Sequence, residues 1–496
     1  MICVSIGRTR HKMVTAEHRA LAAKGAELVE LRLDWLSQPP DLERLLKDRP
    51  TPCIVTCRRR VDRGRWKGTE QQRQALLRAA IWAEVEYIDL EDDIGGDIPR
   101  HGKTKRIISH HDFEETPQEL EAIHAKMCDL DADIIKLVTM ANSPSDIVRM
   151  LKLVADTTVP TIGFCMGELG MSSRILCGKY GSPFTYASFS SERELAPGQL
   201  SFDEMRDVYR FDQINAHTQV FGVLGDPIAQ SLSPIIHNAA FRDAGLNSVY
   251  LPFRVPKDDL TSTLEAFEWL DVRGYSVTIP HKVSVLPFAG YCEHPTEEVG
   301  AANTLFRDDA GGWRAVNTDY EAALSSIEFG LQSDPVGVSA LQGKKVLMLG
   351  AGGVARAIGL GVVRGGGGLT IANRTHDKAV ALAEQLGCQQ THWKNRGIGY
   401  ADILINCTPI GMHPNVDDTP ILMHWLREGM LVFDSVYNPE NTLLLKQARE
   451  RGCRTVTGLE MFVRQAALQF ERFTGQPAPM EQMRTALRRG ISPVRM

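Results

Sequence analysis

The 496-residue chain has no apolar run approaching the ~18 residues that a membrane-spanning helix needs. It also lacks an excess of either charge. Lys and Arg number 56 against 61 Asp and Glu, a formal net charge of −5. No global basic field therefore favours nucleic acid or an anionic membrane. The local run Arg58-Arg59-Arg60 fits an anion site or a solvated loop better than a nucleic-acid patch. Ten cysteines are scattered without a CxxC pair and without histidines at zinc spacing, so no metal is expected. They read as small buried hydrophobes in a reducing compartment, with Cys53 and Cys57 on one face of a strand. The apparent strand at 2–6 starts at once and leaves no room for a signal or transit peptide, so a cytoplasmic location is expected.

The apolar fraction of 43% and charged fraction of 24% are those of an ordinary globular protein, and the length exceeds one core. From residue 1 to about 189, short β-branched runs alternate with helical patterns. Strands are expected at 2–7, 27–33, 52–58, 85–91, 105–113, 133–140, 160–167 and 184–189, and helices at 69–83, 116–128 and 143–154. Eight βα units in ~200 residues predict a (β/α)8 barrel at the small end of its range. An open doubly wound sheet is the alternative, but no Gly-rich phosphate loop in this half supports it. Barrel chemistry sits at the carboxyl ends of strands. Glu30, Arg32, Arg58, Glu91, His110, His111 and Asp112 fall there, Arg174 follows the seventh strand, and Gln199 lies in the loop after the eighth. So many charges on one rim are costly as pure structure.

Lys136 sits inside the sixth strand. Alternation puts Ile134, Lys136 and Val138 on one face, so the lysine should point into the barrel. A desolvated lysine near other cations becomes a nucleophilic amine suited to a Schiff base. The bland alternative is a structural pair with Glu30 or Glu91. A histidine at His111 can move the proton of the carbon acid that an imine creates. Arg32, Arg58 and Arg174 suit an anionic, oxygen-rich substrate.

The motifs Glu30-Leu-Arg32-Leu-Asp34, Ser109-His-His111-Asp-Phe113, Ile135-Lys136, Ser173-Arg174 and Ala196-Pro-Gly-Gln199 resemble type I 3-dehydroquinate dehydratase over about 1–212. The resemblance implies a Schiff base on Lys136, His111 as general base and acid, and Glu91 orienting that histidine. It implies that Arg174 holds the substrate carboxylate, that Glu30, Arg32 and Arg58 contact hydroxyls or the carboxylate, and that Gln199 reaches in from a closing loop. Leu195 stands where the family usually has serine or threonine, which puts a lid hydroxyl in doubt. The His-Asp-Phe pattern favours His111 over His110.

After a helix at about 202–209 and a linker at 213–218, the second half opens with a strand at 219–225. Ser231 and Ser233 precede a helix opened by Pro234, an ordinary capping arrangement in isolation. Thr278, Lys282, Asn303 and Asp319 follow at strand ends, a hydroxyl-recognition set around one lysine and one aspartate. A strand at 344–349 then runs into Gly350-Ala351-Gly352-Gly353-Val354-Ala355 and a helical pattern. This is G-x-G-x-x-A in strand–turn–helix context, a dinucleotide signature. The next strand ends in Asn373-Arg374-Thr375 rather than an acid, which favours the 2′-phosphate of NADP.

These pieces, with Thr408, Tyr437 and Gly458-Leu-x-Met461-x-x-x-Gln465, resemble shikimate dehydrogenase over about 219–480. The resemblance implies that Ser231 and Ser233 bind the substrate carboxylate, and that Thr278, Asn303, Tyr437 and Gln465 meet the carboxylate or hydroxyls. It implies Lys282 and Asp319 as the proton-transfer pair, and 350–355, Asn373, Arg374, Thr375, Thr408, Gly458 and Met461 at the NADP(H) site. Tyr320 replaces the family's usual glycine and either reshapes the pocket or packs outward. The expected division is a barrel at 1–212, a linker at 213–218, a substrate domain at 219–325 with 458–485, and a Rossmann-type domain at 326–457. The tail from 484 is expected to fray.

The first product, 3-dehydroshikimate, is the second substrate. The chain is thus expected to dehydrate 3-dehydroquinate and to reduce the product to shikimate with NADPH. Its expected partners are small molecules only, as a monomer or homodimer. The rivals are an NAD-dependent quinate/shikimate dehydrogenase with a weakened dehydratase, and a metabolite-binding regulator that kept both folds.

Overall fold

The computed structural model describes residues 1–331 and 339–491. Eight short runs rich in β-branched residues form the strands β1 (Ile2–Ile6), β2 (Leu28–Arg32), β3 (Cys53–Thr56), β4 (Tyr87–Glu91), β5 (Lys105–His111), β6 (Ile134–Met140), β7 (Thr161–Met166) and β8 (Thr185–Ser188). They coincide with the eight expected runs and are mostly a residue or two shorter at one or both ends. Every paired neighbour is parallel, in the order β7-β6-β5-β4-β3-β2-β1-β8. This is the expected (β/α)8 barrel, with ladders joining all neighbours but β7 and β8. Both faces are covered, which is why the strands read as continuous apolar runs rather than alternating ones.

Ile134 and Val138 pack with Ile54, Ile107 and Ile162 in one buried cluster, and Lys136 lies between them in sequence on the same face. Local signals set the helix starts. Thr69 and Gln72 form a capping box at Glu70–Trp82, and Ser143 and Asp146 form another at Pro144–Asp156. The helix expected from 116 begins only at Leu120. Thr116 is held outside it, its hydroxyl bonded to the Thr139 hydroxyl and the Met140 carbonyl at 2.8 Å each.

A second, mixed sheet comprises β9 (Gln219–Gly225), β10 (Ser248–Arg254), β11 (Val272–Val277), β12 (Tyr291–Cys292), β13 (Thr304–Arg307) and β14 (Trp313–Val316), in the order β10-β9-β11-β13-β14-β12. A third holds β15 (Lys345–Leu349), β16 (Gly368–Asn373), β17 (Gln389–His392), β18 (Ile403–Asn406), β19 (Leu431–Asp434) and β20 (Arg454–Val456). It is parallel throughout, in the order β17-β16-β15-β18-β19-β20. That is the 3-2-1-4-5-6 order of dinucleotide-binding folds, with its switch point between β15 and β18.

The chain forms two compact units. One is Met1–Phe221, Pro227–Ala229 and Asn247–Val272; the other is Gly222–Asp226, Gln230–Leu246 and Arg273–Met496. Two expectations change. The helix Thr318–Leu331 runs through the boundary expected at 325/326, because Ala322, Ala323 and Ile327 pack into the core of the third sheet. The tail from 484 is helical to Ile491, with Met483 and Leu487 buried; residues 492–496 lie outside the described residues.

Gly458 opens the helix Gly458–Thr474, and a Cβ there would land on the carbonyls of Ser435 and Val436. Backbone cannot give way as a side chain can. Gly458→Ala should therefore destabilise the second unit by about 1–3 kcal/mol. The check is urea inactivation of each activity separately: the midpoint of the NADPH-dependent activity should fall while that of the dehydratase stays put.

Candidate active sites

In the first unit, a cavity of about 590 Å³, counting its open mouth, lies at the carboxyl ends of the strands. Glu30, Arg32, Arg58, His111, Lys136, Arg174, Leu195 and Gln199 line it, together with Ser5, Asp62, Phe164 and Tyr186. Seven of the eight residues expected at this site thus converge; Glu91 does not line the cavity.

Lys136 is buried, and its Nζ donates to Asp89 Oδ2 at 3.1 Å and lies 3.8 Å from Glu30 Oε1. The ring of Tyr186 lies 4.1 Å from the same nitrogen. The lysine is therefore ringed by carboxylates and an aromatic face as well as by cations. Asp89, absent from the sequence-level set, is the hub. It accepts from Arg58 at 2.7 Å and from the Ser109 hydroxyl at 2.6 Å, and it is fully buried. Burial alone would raise its pKa, yet the neighbouring cations Arg58 and Lys136 hold it well below the usual carboxylate value. Glu30 accepts from Ser5 at 2.6 Å and from Thr56 at 2.8 Å, which fixes it beside the amine.

Glu91, expected to orient His111, instead bridges two arginines. It accepts from Arg58 at 3.0 Å and from Arg73 at 2.7 Å. Arg73 is a buried cation on the helix Glu70–Trp82 that also bonds the Cys57 carbonyl. Two flanking guanidiniums claim both carboxylate oxygens, so Glu91 is a scaffold for Arg58. His111 lines the cavity and stacks on Phe113, with ring centroids 5.8 Å apart. Burial first, then the cations Arg58 and Lys136, push its pKa well below 6.5. It is a neutral base at physiological pH. His110 points elsewhere, its Nδ1 paired with Asp92 at 2.9 Å.

Arg174 is buried, and burial lowers its pKa to about 10. Its Nε has no hydrogen-bond partner, and one terminal nitrogen bonds the Pro197 carbonyl at 3.1 Å. A buried guanidinium with free donors facing a cavity is a ready receptor for a carboxylate. The loop after β8 is tied by Gln199, whose Oε1 accepts from the Leu195 backbone N–H at 3.0 Å. Leu195 contributes this backbone bond and an apolar wall.

In the second unit, Lys282 Nζ donates to Asp319 Oδ2 at 2.6 Å, and both are part-buried. Asn303 is buried with its oxygen held by Thr304 Oγ1 and the Thr318 N–H, and its nitrogen by Thr318 Oγ1 at 2.9 Å. It braces the turn that presents Asp319. Gln469, also absent from the sequence-level set, donates to the Asn303 carbonyl and to Thr304 Oγ1, at 3.0 Å each. Ser231 Oγ accepts from the Ser233 N–H at 3.3 Å, a local turn bond ahead of the helix Ser233–Asp243, whose N-cap is Leu232. Thr278 follows β11, its N–H bonded to the Leu224 carbonyl. Gln465 donates to the Phe462 carbonyl, and Tyr437 stacks on Phe462 at 4.6 Å. Tyr320 packs half-buried against the core of the third sheet.

The glycine loop fits a dinucleotide. Gly350 has φ +113°, and a Cβ there would meet the Cys407 carbonyl at 2.8 Å, so only glycine serves. At Gly352 and Gly353 a Cβ would meet nothing, which leaves open space for a pyrophosphate. Gly352 caps the helix Gly353–Arg364, whose first turn holds no acid and takes no side-chain cap bond. Its N–H groups remain available to an anion. Ala351 and Val354 pack half-buried against the third-sheet core, and Ala355 is fully in it. Thr408 is wound onto Asn406, accepting nothing from outside that turn but the Ile410 N–H. Asn373 Nδ2 bonds the Thr375 carbonyl at 2.8 Å, while Arg374 is exposed. Met461 is a buried member of the same core, so its placement is that of packing. Among the described residues no cluster of His, Cys, Asp and Glu could hold a metal ion.

A barrel with a buried lysine, histidine and carboxylate receptor, followed by a dinucleotide fold with its own lysine–aspartate pair, defines a two-site enzyme. Family models agree. Type I 3-dehydroquinase matches residues 2–216, the shikimate dehydrogenase substrate-binding domain 223–305, shikimate/quinate 5-dehydrogenase 335–419, and the shikimate 5′-dehydrogenase C-terminal domain 458–488. A chloroplastic bifunctional 3-dehydroquinate dehydratase/shikimate dehydrogenase of Arabidopsis thaliana is 38% identical over 97% of this chain and 83% of its own. A shikimate dehydrogenase (NADP(+)) of Methanothermobacter thermautotrophicus is 40% identical over 56% of this chain and 99% of its own. A shikimate dehydrogenase solved in complex with NADP+ is 36% identical, with a TM-score of 0.52 over 56% of this chain and 98% of that one. The chain belongs to the bifunctional 3-dehydroquinate dehydratase/shikimate dehydrogenase family.

Asp89 carries a pH prediction with a definite sign. Its folded pKa lies below its unfolded value of about 3.9, so its stabilisation is present above that pH and is lost as pH falls below it. Asp89→Asn should cost about 3–5 kcal/mol at neutral pH, because Arg58 and Lys136 lose a buried counter-ion. Acid titration of barrel unfolding should show a shallower loss below about pH 4 in this variant.

Proposed function

We propose that the first unit's barrel dehydrates 3-dehydroquinate to 3-dehydroshikimate through an imine on Lys136, and that the second unit reduces 3-dehydroshikimate to shikimate with NADPH. The observation that carries the first step is the buried Lys136 amine opening on the same cavity as neutral His111 and the free donors of Arg174. Arg174 binds the substrate carboxylate, while Glu30, Arg32, Arg58 and Gln199 contact its oxygens. Lys136 Nζ attacks the ketone carbon, and the ketone oxygen departs as water, leaving a C=N bond. The positive imine acidifies the neighbouring C–H. His111 removes that proton, the electron pair forms the C=C bond, and the β-hydroxyl leaves as water with a proton returned by His111. Hydrolysis of the imine frees Lys136.

In the second unit Ser231, Ser233, Thr278, Asn303, Tyr437 and Gln465 hold the carboxylate and hydroxyls of the substrate. Residues 350–355 cradle the pyrophosphate, with Asn373, Arg374, Thr375 and Thr408 along the cofactor and Gly458 and Met461 packed behind it. NADPH, when bound, supplies a hydride to the ketone carbon. Lys282 gives a proton to the oxygen that becomes the new hydroxyl, and Asp319 holds that ammonium in place. The domains of this reading are 1–212, a linker at 213–218, a substrate domain at 219–317 with 458–485, and a nucleotide-binding domain that begins with the helix Thr318–Leu331 and ends at 457. No helix among the described residues is long and apolar enough to cross a membrane. A cytoplasmic location, and a monomer or homodimer, complete the reading.

Borohydride added with 3-dehydroquinate should trap a mass adduct on Lys136, and Lys136→Ala should lose both the adduct and dehydration. The same variant should keep NADPH-dependent reduction of 3-dehydroshikimate. Dehydration by Lys136→Ala at the normal rate would sink the imine mechanism. In the wild type, the acid limb of kcat/KM for dehydration should lie below pH 6.5, in the direction set by His111.

A further inference from the structure

Two histidines outside both catalytic sets lie against each other at the carboxyl end of the third sheet. His392 ends β17 and is paired in register with Asn373, the last residue of β16. His376 is the first residue of the helix His376–Leu386, three positions beyond Asn373. Their rings stack with centroids 3.7 Å apart and planes 15° apart. The Nδ1 of His376 is buried without a hydrogen-bond partner. A histidine pair held face to face while a ring nitrogen goes unpaired is poorly explained as packing alone, since buried polar atoms normally find partners. Arg374 is exposed between Asn373 and this helix, where Asn373 Nδ2 bonds the Thr375 carbonyl.

In this fold the adenosine ribose of a bound dinucleotide lies beyond the end of the second strand, here β16. The glycine loop that receives the pyrophosphate fits such a ligand, as described above. The end of β16 and the end of β17 therefore bring Arg374, His376 and His392 to the place where NADP and NAD differ. Each neutral imidazole offers one N–H donor and each protonated one offers two. A phosphate monoester has oxygens for all of them.

We propose that His376 and His392 complete the receptor for the adenosine 2′-phosphate of NADP, so that preference for the phosphorylated dinucleotide is shared between Arg374 and the stacked pair. The proposal rests on the second unit being NADP-dependent. It adds two residues to that specificity which the Asn373-Arg374-Thr375 motif does not contain.

The test is calorimetric binding to the full chain, without substrate, of adenosine 2′,5′-bisphosphate and of adenosine 5′-monophosphate. His392→Ala and His376→Ala should each weaken the bisphosphate roughly 5- to 30-fold, the loss of a hydrogen bond to a charged group, and leave the monophosphate unchanged. His392→Phe keeps an aromatic ring for the stack but removes its donors, and should behave as His392→Ala. If His392→Phe and both alanine variants bind the bisphosphate as the wild type does while Arg374→Gln loses it, the pair is packing and the proposal is overturned, with NADP dependence intact. If the wild type binds the two nucleotides equally, NADP dependence itself fails and the proposal goes with it.

Discussion

The contact between Lys136 Nζ and Asp89 Oδ2 sets the terms for the whole barrel. Neither group can be buried alone, since an isolated charge in this interior costs several kcal/mol. Asp89 therefore also takes Arg58 and Ser109, Arg58 takes Glu91, and Glu91 takes Arg73 from a surrounding helix. The chain of pairs runs from the Lys136 amine through β4 and the end of β3 to the helix layer. Each link satisfies a charge that the previous link brought in. Lys136 is thus held by a network that no single strand could supply, and the barrel provides it because inward residues of neighbouring strands meet at one level.

The two units use a lysine–carboxylate pair in opposite ways. Lys136 is buried with its carboxylates, an aromatic face and a neutral histidine, an environment suited to a covalent nucleophile once substrate displaces the ion pairs. Lys282 is more open, with one short bond to Asp319, an arrangement suited to passing a proton to an oxygen that gains charge. The pairing is the same, and the two lysines differ in burial and in neighbours. The carboxylate partner differs accordingly. Asp89 is itself locked by two cations and a hydroxyl, whereas the turn bearing Asp319 is braced from behind by Asn303, which Gln469 holds in turn.

Much of this was legible in the sequence. The strands announced themselves because parallel strands buried on both faces are continuous β-branched runs, and the period of two placed Lys136 inside. The glycine loop was legible because the pyrophosphate demands absence of side chains at fixed positions. What was not legible is which of two like residues does which job. Asp89 and Glu91 share a face of β4, and either could meet a lysine two strands away. The choice depends on Arg73, whose reach from the helix layer into the barrel has no local sequence signal. Thr116 likewise reads as a helix start, yet its hydroxyl is claimed by β6. Ser231 and Ser233 read equally as caps or as ligands, yet the N-cap is Leu232 and Ser231 only closes a local turn onto the Ser233 N–H.

The departure at Leu195 shows how a loop can change a residue without losing its closure. A hydroxyl at that position would offer one hydrogen bond to substrate. The bond that shapes the loop comes instead from the Leu195 backbone to the Gln199 side chain, and a backbone N–H does not depend on residue type. Gly198 takes φ +71°, and a Cβ there would press on the Gly167 carbonyl, so the loop's course is fixed by glycine against backbone. The Pro197 carbonyl then meets Arg174, which ties the loop to the carboxylate receptor. With turn, glycine and arginine contact all independent of side chain 195, leucine adds an apolar wall and water exclusion where a hydroxyl would add one polar contact. The loop therefore keeps its geometry with leucine in place.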